Sequence, residues 1–173
     1  MKVKHDKLEQ YDFAIGEYIE TVKAKYAPGI GLFLIRFSSL EHTLDVALAD
    51  FLFDRSHDVG YMVIEGNSLN NKIELFRKVF HMQTKHMHPK RVSKLATLVK
   101  RLHEVRVFRN YLVHANWITL ENSGYVRTRI DEKDGEVIFR KVRITPKVIN
   151  SWIRRVIQLD EQLYDFTESA YNA

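Results

Sequence analysis

Apolar residues recur three and four positions apart between Lys4 and Tyr26, at Leu8, Tyr11, Ile15, Tyr18 and Val22, and this period predicts a first amphipathic helix. Ala27-Pro28-Gly29 is expected to end it, because a proline removes a backbone donor and disfavours helix in the residue before it. The same stripe resumes from about Ile30 to Phe53 through Leu34, Phe37, Leu44, Leu48 and Phe51, predicting a second helix. The stretch RSHDVGYMVIEGNS (Arg55 to Ser68) reads as a connection, with a short extended piece at Tyr61 to Ile64. Ser68 is placed to cap a third helix through Phe80. After HMQTKHMHPK, Pro89 suits the first turn of a fourth helix that continues to about Asn116.

The period then changes. GYVRTRID and EVIFRKVRI alternate and are rich in β-branched and aromatic residues, with EKDG between them, which predicts a β-hairpin over about residues 124–144. Thr145 and Pro146 open a last helix with a seam of Ile149, Trp152, Val156, Leu159, Leu163, Phe166 and Ala170. The expected fold is mainly α: an antiparallel bundle of about five helices with an inserted hairpin before the last. No linker or internal repeat divides the chain, so residues 1–173 are expected to form a single domain.

Two polar residues interrupt these seams. On the fourth helix the stripe Leu95, Leu98, Leu102, Val105, Arg109, Leu112 puts a guanidinium on the apolar side, roughly 20° from Leu102 in projection. On the second, Glu41 takes a seam position between Phe37 and Leu44. A buried cation needs a partner, and the simplest expectation is that Glu41 faces Arg109 across the bundle. Asn110 and His114 are four apart and share a face with Arg106. Arg109 and His114 lie about 140° apart around an ideal helix, so their heads converge only if the stem curls, the helix end is distorted, or a second copy completes the cleft.

Composition sharpens this picture in one place. The net charge is +5, yet Lys85 to Arg109 holds eight Lys or Arg (Lys100 and Arg106 among them) against one acid, Glu104. Such a band suits a polyanion or, more blandly, a solvated helix face. There is no cysteine, hence neither a disulfide nor a thiolate metal site. No apolar run is long enough to span a membrane, and MKVKHDKLEQ lacks the apolar stretch of a signal peptide, which points to a cytoplasmic protein without membrane partners. His81, His86 and His88 have no acidic or cysteine ligand near them in sequence, so neither metal nor other cofactor is expected. Trp117 and Tyr125 could stack on bases or pack the hairpin. Arg127, Arg129, Arg140, Lys141 and Arg143 could track phosphates or guard a sheet edge.

The segment RNYLVH (Arg109 to His114), an arginine, a polar residue, spacers and a histidine on a late bundle helix, resembles the signature of the HEPN (higher eukaryotes and prokaryotes nucleotide-binding) superfamily. The resemblance extends more loosely to the bundle, the hairpin after the motif and the final helix. It implies a metal-independent endoribonuclease acting as a homodimer, leaving a 2′,3′-cyclic phosphate and a 5′-hydroxyl, in a toxin–antitoxin or defence setting. Arg109 would bind the scissile phosphate, His114 would transfer protons and Asn110 would position them, with Glu41 in support and Arg106, Lys100, Arg127 and Arg129 holding RNA. An antitoxin or other regulatory protein is an implied partner. Some members carry a tyrosine two residues after the histidine as the target of neutralisation; Asn116 stands there in this chain. Other members bind RNA, nucleotide or a partner protein without cutting, and a purely structural interaction protein is a third reading.

Overall fold

The computed structural model describes residues 17–52, 57–84, 89–114, 116–120, 124–133 and 136–171. Five helices are present among them: α1 (Glu17–Leu52), α2 (His57–Ile64), α3 (Leu69–Thr84), α4 (Pro89–Val113) and α5 (Pro146–Tyr171). Three strands stand between α4 and α5: β1 (Asn116–Leu120), β2 (Gly124–Lys133) and β3 (Glu136–Arg143). The mainly α architecture with a small antiparallel sheet ahead of the last helix is therefore observed. The part of the first predicted helix that precedes Glu17, and Asp134 and Gly135 of the predicted EKDG turn, lie outside the described residues.

The break expected at Ala27-Pro28-Gly29 does not occur, and α1 runs through Pro28. The reason is the stripe the helix buries. Val22, Tyr26, Phe33, Phe37, Leu40, Leu44 and Leu48 are all buried at three-four spacing, and Gly29 falls on the same line. Pro28 is exposed on the other side, so its ring meets no neighbouring element. Packing on both sides outweighs a proline penalty of about 3 kcal/mol. Replacing Pro28 by alanine restores one backbone hydrogen bond and removes the ring clash. The expected result is a stability gain of about 1–3 kcal/mol, read as a raised denaturation midpoint.

Two further elements differ from the sequence reading. Tyr61 to Ile64 is helical, as the end of α2, and not extended. There Gly60 lets α2 meet α1 backbone to backbone: a Cβ at that position would stand 2.9 Å from the Cα of Ala49. Gly66 closes the element with φ of +82°, and Asn67 N–H donates to the Ile64 carbonyl at 3.1 Å, a C-terminal stop that needs glycine. The other difference is β1. The fourth helix ends at Val113 instead of Asn116, and NWIT enters the sheet. β1 pairs antiparallel with β2 (Ile118 opposite Val126), and β2 with β3 (Ile130 opposite Phe139), so the predicted hairpin is two strands of a three-stranded meander.

The two predicted hydroxyl caps are observed. The Ser68 hydroxyl accepts from Asn71 N–H at 3.3 Å and the Thr145 hydroxyl from Val148 N–H at 3.3 Å. On α5, Ile149, Val156, Leu159, Leu163 and Phe166 are buried as the seam requires.

Contacts divide the chain into two units, each with its own core. One comprises residues 17–33 and 110–153 of the described chain, with Val22, Tyr26, Phe33, Leu112, Val142, Ile144 and Ile149 buried and Gly29 against the Ile149 side chain. The other comprises 34–109 and 154–171. Its centre is a ring cluster in which Phe80 lies 4.1 Å from Phe51, 4.4 Å from Phe76 and 5.5 Å from Phe166 between centroids. Edge and tilted geometries of this kind add about 0.5–1.5 kcal/mol per pair beyond the area buried.

Candidate functional site

α4 begins with Pro89 at its first position, where a missing N–H costs nothing. Its buried line runs Leu95, Leu98, Leu102, Val105, Phe108 and Leu112. Phe108, not Arg109, fills the seam position between Val105 and Leu112, which corrects the expectation that the arginine sits in the middle of the stripe. Arg109 is half-buried on its flank, with the guanidinium carbon 5.8 Å from the centroid of the Phe37 ring. A cation over an aromatic face keeps part of its hydration and gains about 0.5–2 kcal/mol, which is how a charge tolerates that place.

Asn110 and His114 belong to the other unit. Asn110 is half-buried and its carbonyl accepts from His114 N–H at 3.1 Å, carrying the last helical turn one residue past Val113. The His114 side chain is exposed. Trp117 caps the helix end: its indole N–H donates to the Leu112 carbonyl at 3.0 Å, one of the carbonyls a helix terminus leaves without a partner. That bond supports the packing role of Trp117 over stacking on a base. It was not legible from sequence, because the cap comes from the following strand.

Glu41, expected opposite Arg109, directs Oε1 at Lys72 Nζ, 3.5 Å away. Lys72 is buried and also donates to Asp45 Oδ2 at 2.8 Å. This inter-helix cluster, one lysine of α3 held by two carboxylates of α1, is the strongest charged feature that sequence reasoning missed. Glu41 also borders a small apolar recess lined by Phe37, Leu40, Leu44, Leu69 and Leu102. Nearby on α2, burial first, then the charges of Asp50 and Asp45, push the Tyr61 phenol above its ordinary value. The phenol is thus held neutral, a contribution present below pH 10 and lost as alkali passes the raised value.

The basic band of α4 is only partly turned outward. Arg101 donates to Gln162 at 2.6 Å and Arg91 to Ser169 at 3.2 Å, while Lys94 lies 6.0 Å from the Phe166 ring, so these three cations serve the packing of α5. Lys100 is exposed, and Arg106 is half-buried with Nε lacking an acceptor. His103, between them, places Nε2 3.3 Å from Glu74 Oε1. Arg77 Nε donates to Glu74 Oε2 at 2.9 Å, and this bond is the main reason the Glu74 carboxyl sits below its ordinary value, with His103 adding to it. The small stabilisation from that exposed pair exists above the ordinary glutamate range and disappears as acid passes the lowered value.

Arg127 and Arg129 lie on β2, in register with Val142 and Arg140 of β3. His81 is exposed on α3, whereas His86 and His88 fall outside the described residues. No group of three His, Cys, Asp or Glu among the described residues could hold a metal ion. Nor is any described helix long and apolar enough to cross a membrane. Comparison of the chain with protein-family models, with curated proteins and with solved structures finds no match.

Proposed function

We propose that the chain is a HEPN-type endoribonuclease that cleaves RNA without a metal and works as a homodimer in the cytoplasm. One observation carries the reading. Asn110 and His114 are joined through the last turn of a long bundle helix, and the imidazole at its end is exposed, where a substrate can reach it. In the reaction the 2′-hydroxyl attacks the adjacent phosphorus while the bond from phosphorus to the 5′-oxygen breaks. An imidazole near neutrality can take the hydroxyl proton or give one to the departing oxygen. Arg109 places positive charge on the pentacovalent phosphate, Asn110 orients the reacting groups, and Glu41 contributes by fixing α1 through Lys72. Lys100, Arg106, Arg127 and Arg129 hold the strand. The second copy brings a second guanidinium and imidazole, and an antitoxin-like protein covers the site when it is silent.

A second reading has its own support. Arg109 is half-buried against Phe37, an anchoring contact that suits a module binding RNA or a protein without cutting it. Incubation of purified protein with mixed RNA in excess EDTA separates the two. Products with 2′,3′-cyclic phosphate and 5′-hydroxyl ends support the nuclease. Retention of RNA with no new ends supports the silent module and removes the nuclease.

A further inference from the structure

Lys100 and Arg106, which the proposed reaction uses only to hold the strand, stand in one unit with His103, which it does not use. Lys100, His103 and Arg106 follow one another at three-residue steps, so each is a surface neighbour of the next. Arg106 carries a buried Nε–H that no acceptor satisfies, an unfavourable state for a charged group. With no bond through Nε to break, the guanidinium can be redirected towards an incoming oxygen. His103 stands differently. Its Nε2 is engaged by Glu74, whose charge is in turn matched by Arg77, and its side chain remains 30% exposed.

That pinning decides what the imidazole can offer. With Nε2–H directed at the carboxylate, neutral His103 presents a bare Nδ1 that repels a phosphate oxygen. Once protonated, the ring offers Nδ1–H and a positive charge. The charged neighbours are Glu74 and Arg77 from α3 and Lys100, Glu104 and Arg106 along α4. Because Arg77 answers Glu74, the acid does not drive a phosphate away. We infer that His103 and Arg106, with Lys100 beside them, form a proton-gated subsite for a phosphodiester of single-stranded RNA. This deepens the RNA reading above and rests on it for the ligand, but not on cleavage.

The test is the binding of a fluorescent oligouridylate, followed by anisotropy in EDTA. His114→Ala serves as the common background, so that no strand is cut and the His114 imidazole is absent. Affinity is expected to rise about 5–10-fold as pH falls from about 8 to about 5.5, the interval over which imidazoles gain charge. H103Q flattens that rise. R106Q weakens binding about 5–10-fold throughout and reduces the slope of log affinity against log salt by about 0.7, the value for one single-strand phosphate contact. Circular dichroism checks that both variants are folded, and R106K, which keeps the charge, retains the salt slope.

The subsite is overturned if H103Q keeps the full pH response or R106Q keeps affinity and slope. It is equally overturned if polyglutamate competes as well as RNA at equal charge, or if the oligouridylate does not bind at all. The two readings fail separately. These effects in a chain that never cleaves RNA uphold the subsite and remove the nuclease, while cleavage by a protein indifferent to H103Q and R106Q does the reverse.

Discussion

If the chain is the proposed nuclease, His114→Ala is expected to abolish RNA cleavage and to leave the melting temperature where it was. Removing a group that moves protons in the transition state lowers the rate about 100- to 10,000-fold, which brings cleavage to the limit of detection. The stability half of the expectation follows from the exposed ring: its backbone N–H, which alanine keeps, makes the bond to Asn110. Surface changes of that kind stay within about 0.5 kcal/mol. Arg109→Ala behaves differently, because the guanidinium also packs on Phe37. Cleavage falls about 100- to 1,000-fold for the lost charge, and stability drops by about 1–2 kcal/mol for the lost cation–π contact and stem packing. Arg109→Lys keeps the charge but loses the planar fork, so it recovers stability better than activity. A His114→Ala protein that cuts RNA at the normal rate removes the nuclease reading. Light scattering tests the dimer, which a strict monomer at assay concentration would exclude.

Lys72→Met is the substitution expected to cost most in stability. It leaves the Asp45 and Glu41 carboxylates, both only half-buried, without the ammonium that stood 2.8 Å and 3.5 Å from them. Breaking a buried pair from one side costs about 3–5 kcal/mol, and the 19% and 33% exposure left to Asp45 and Glu41 puts this loss at the lower end. For a chain of this size that lowers the melting temperature by roughly 6–20 °C. Pairing it with Asp45→Leu should recover most of the loss, because a buried ion pair is worth little more than the apolar residues that can replace it. Equal losses in the single and double variants would show that Lys72 acts through its stem and not its charge.

The parts legible in the sequence are those set by local rules. The stripe of α5 from Ile149 to Phe166, the caps at Ser68 and Thr145, Pro89 at the start of α4 and the alternation of β2 and β3 each depend on residues within one or two turns. The misread parts depend on contacts distant in sequence. Pro28 looks like a terminator until Tyr26, Phe33 and Phe37 are seen buried on one line. YMVI at the end of α2, with an aromatic and two β-branched residues, reads as extended, but Gly60 lets that segment close onto Ala49 as a helix. β1 was hidden because Trp117, whose side chain ends α4, is itself in the strand that follows. For the site, Arg109, Asn110 and His114 could be selected by residue type and spacing. The partner of Glu41 could not, because a buried lysine is rare and position 72 gives no sign of facing positions 41 and 45.

The inward-facing lysine of α3 has a practical corollary. Acylating reagents need an amine that water and reagent can reach, which Lys94 and Lys100 offer continuously and Lys72 does not. Its labelling rate should therefore follow the opening of the helices around it, making one peptide in a mass spectrum a clock for how often that half of the molecule comes apart.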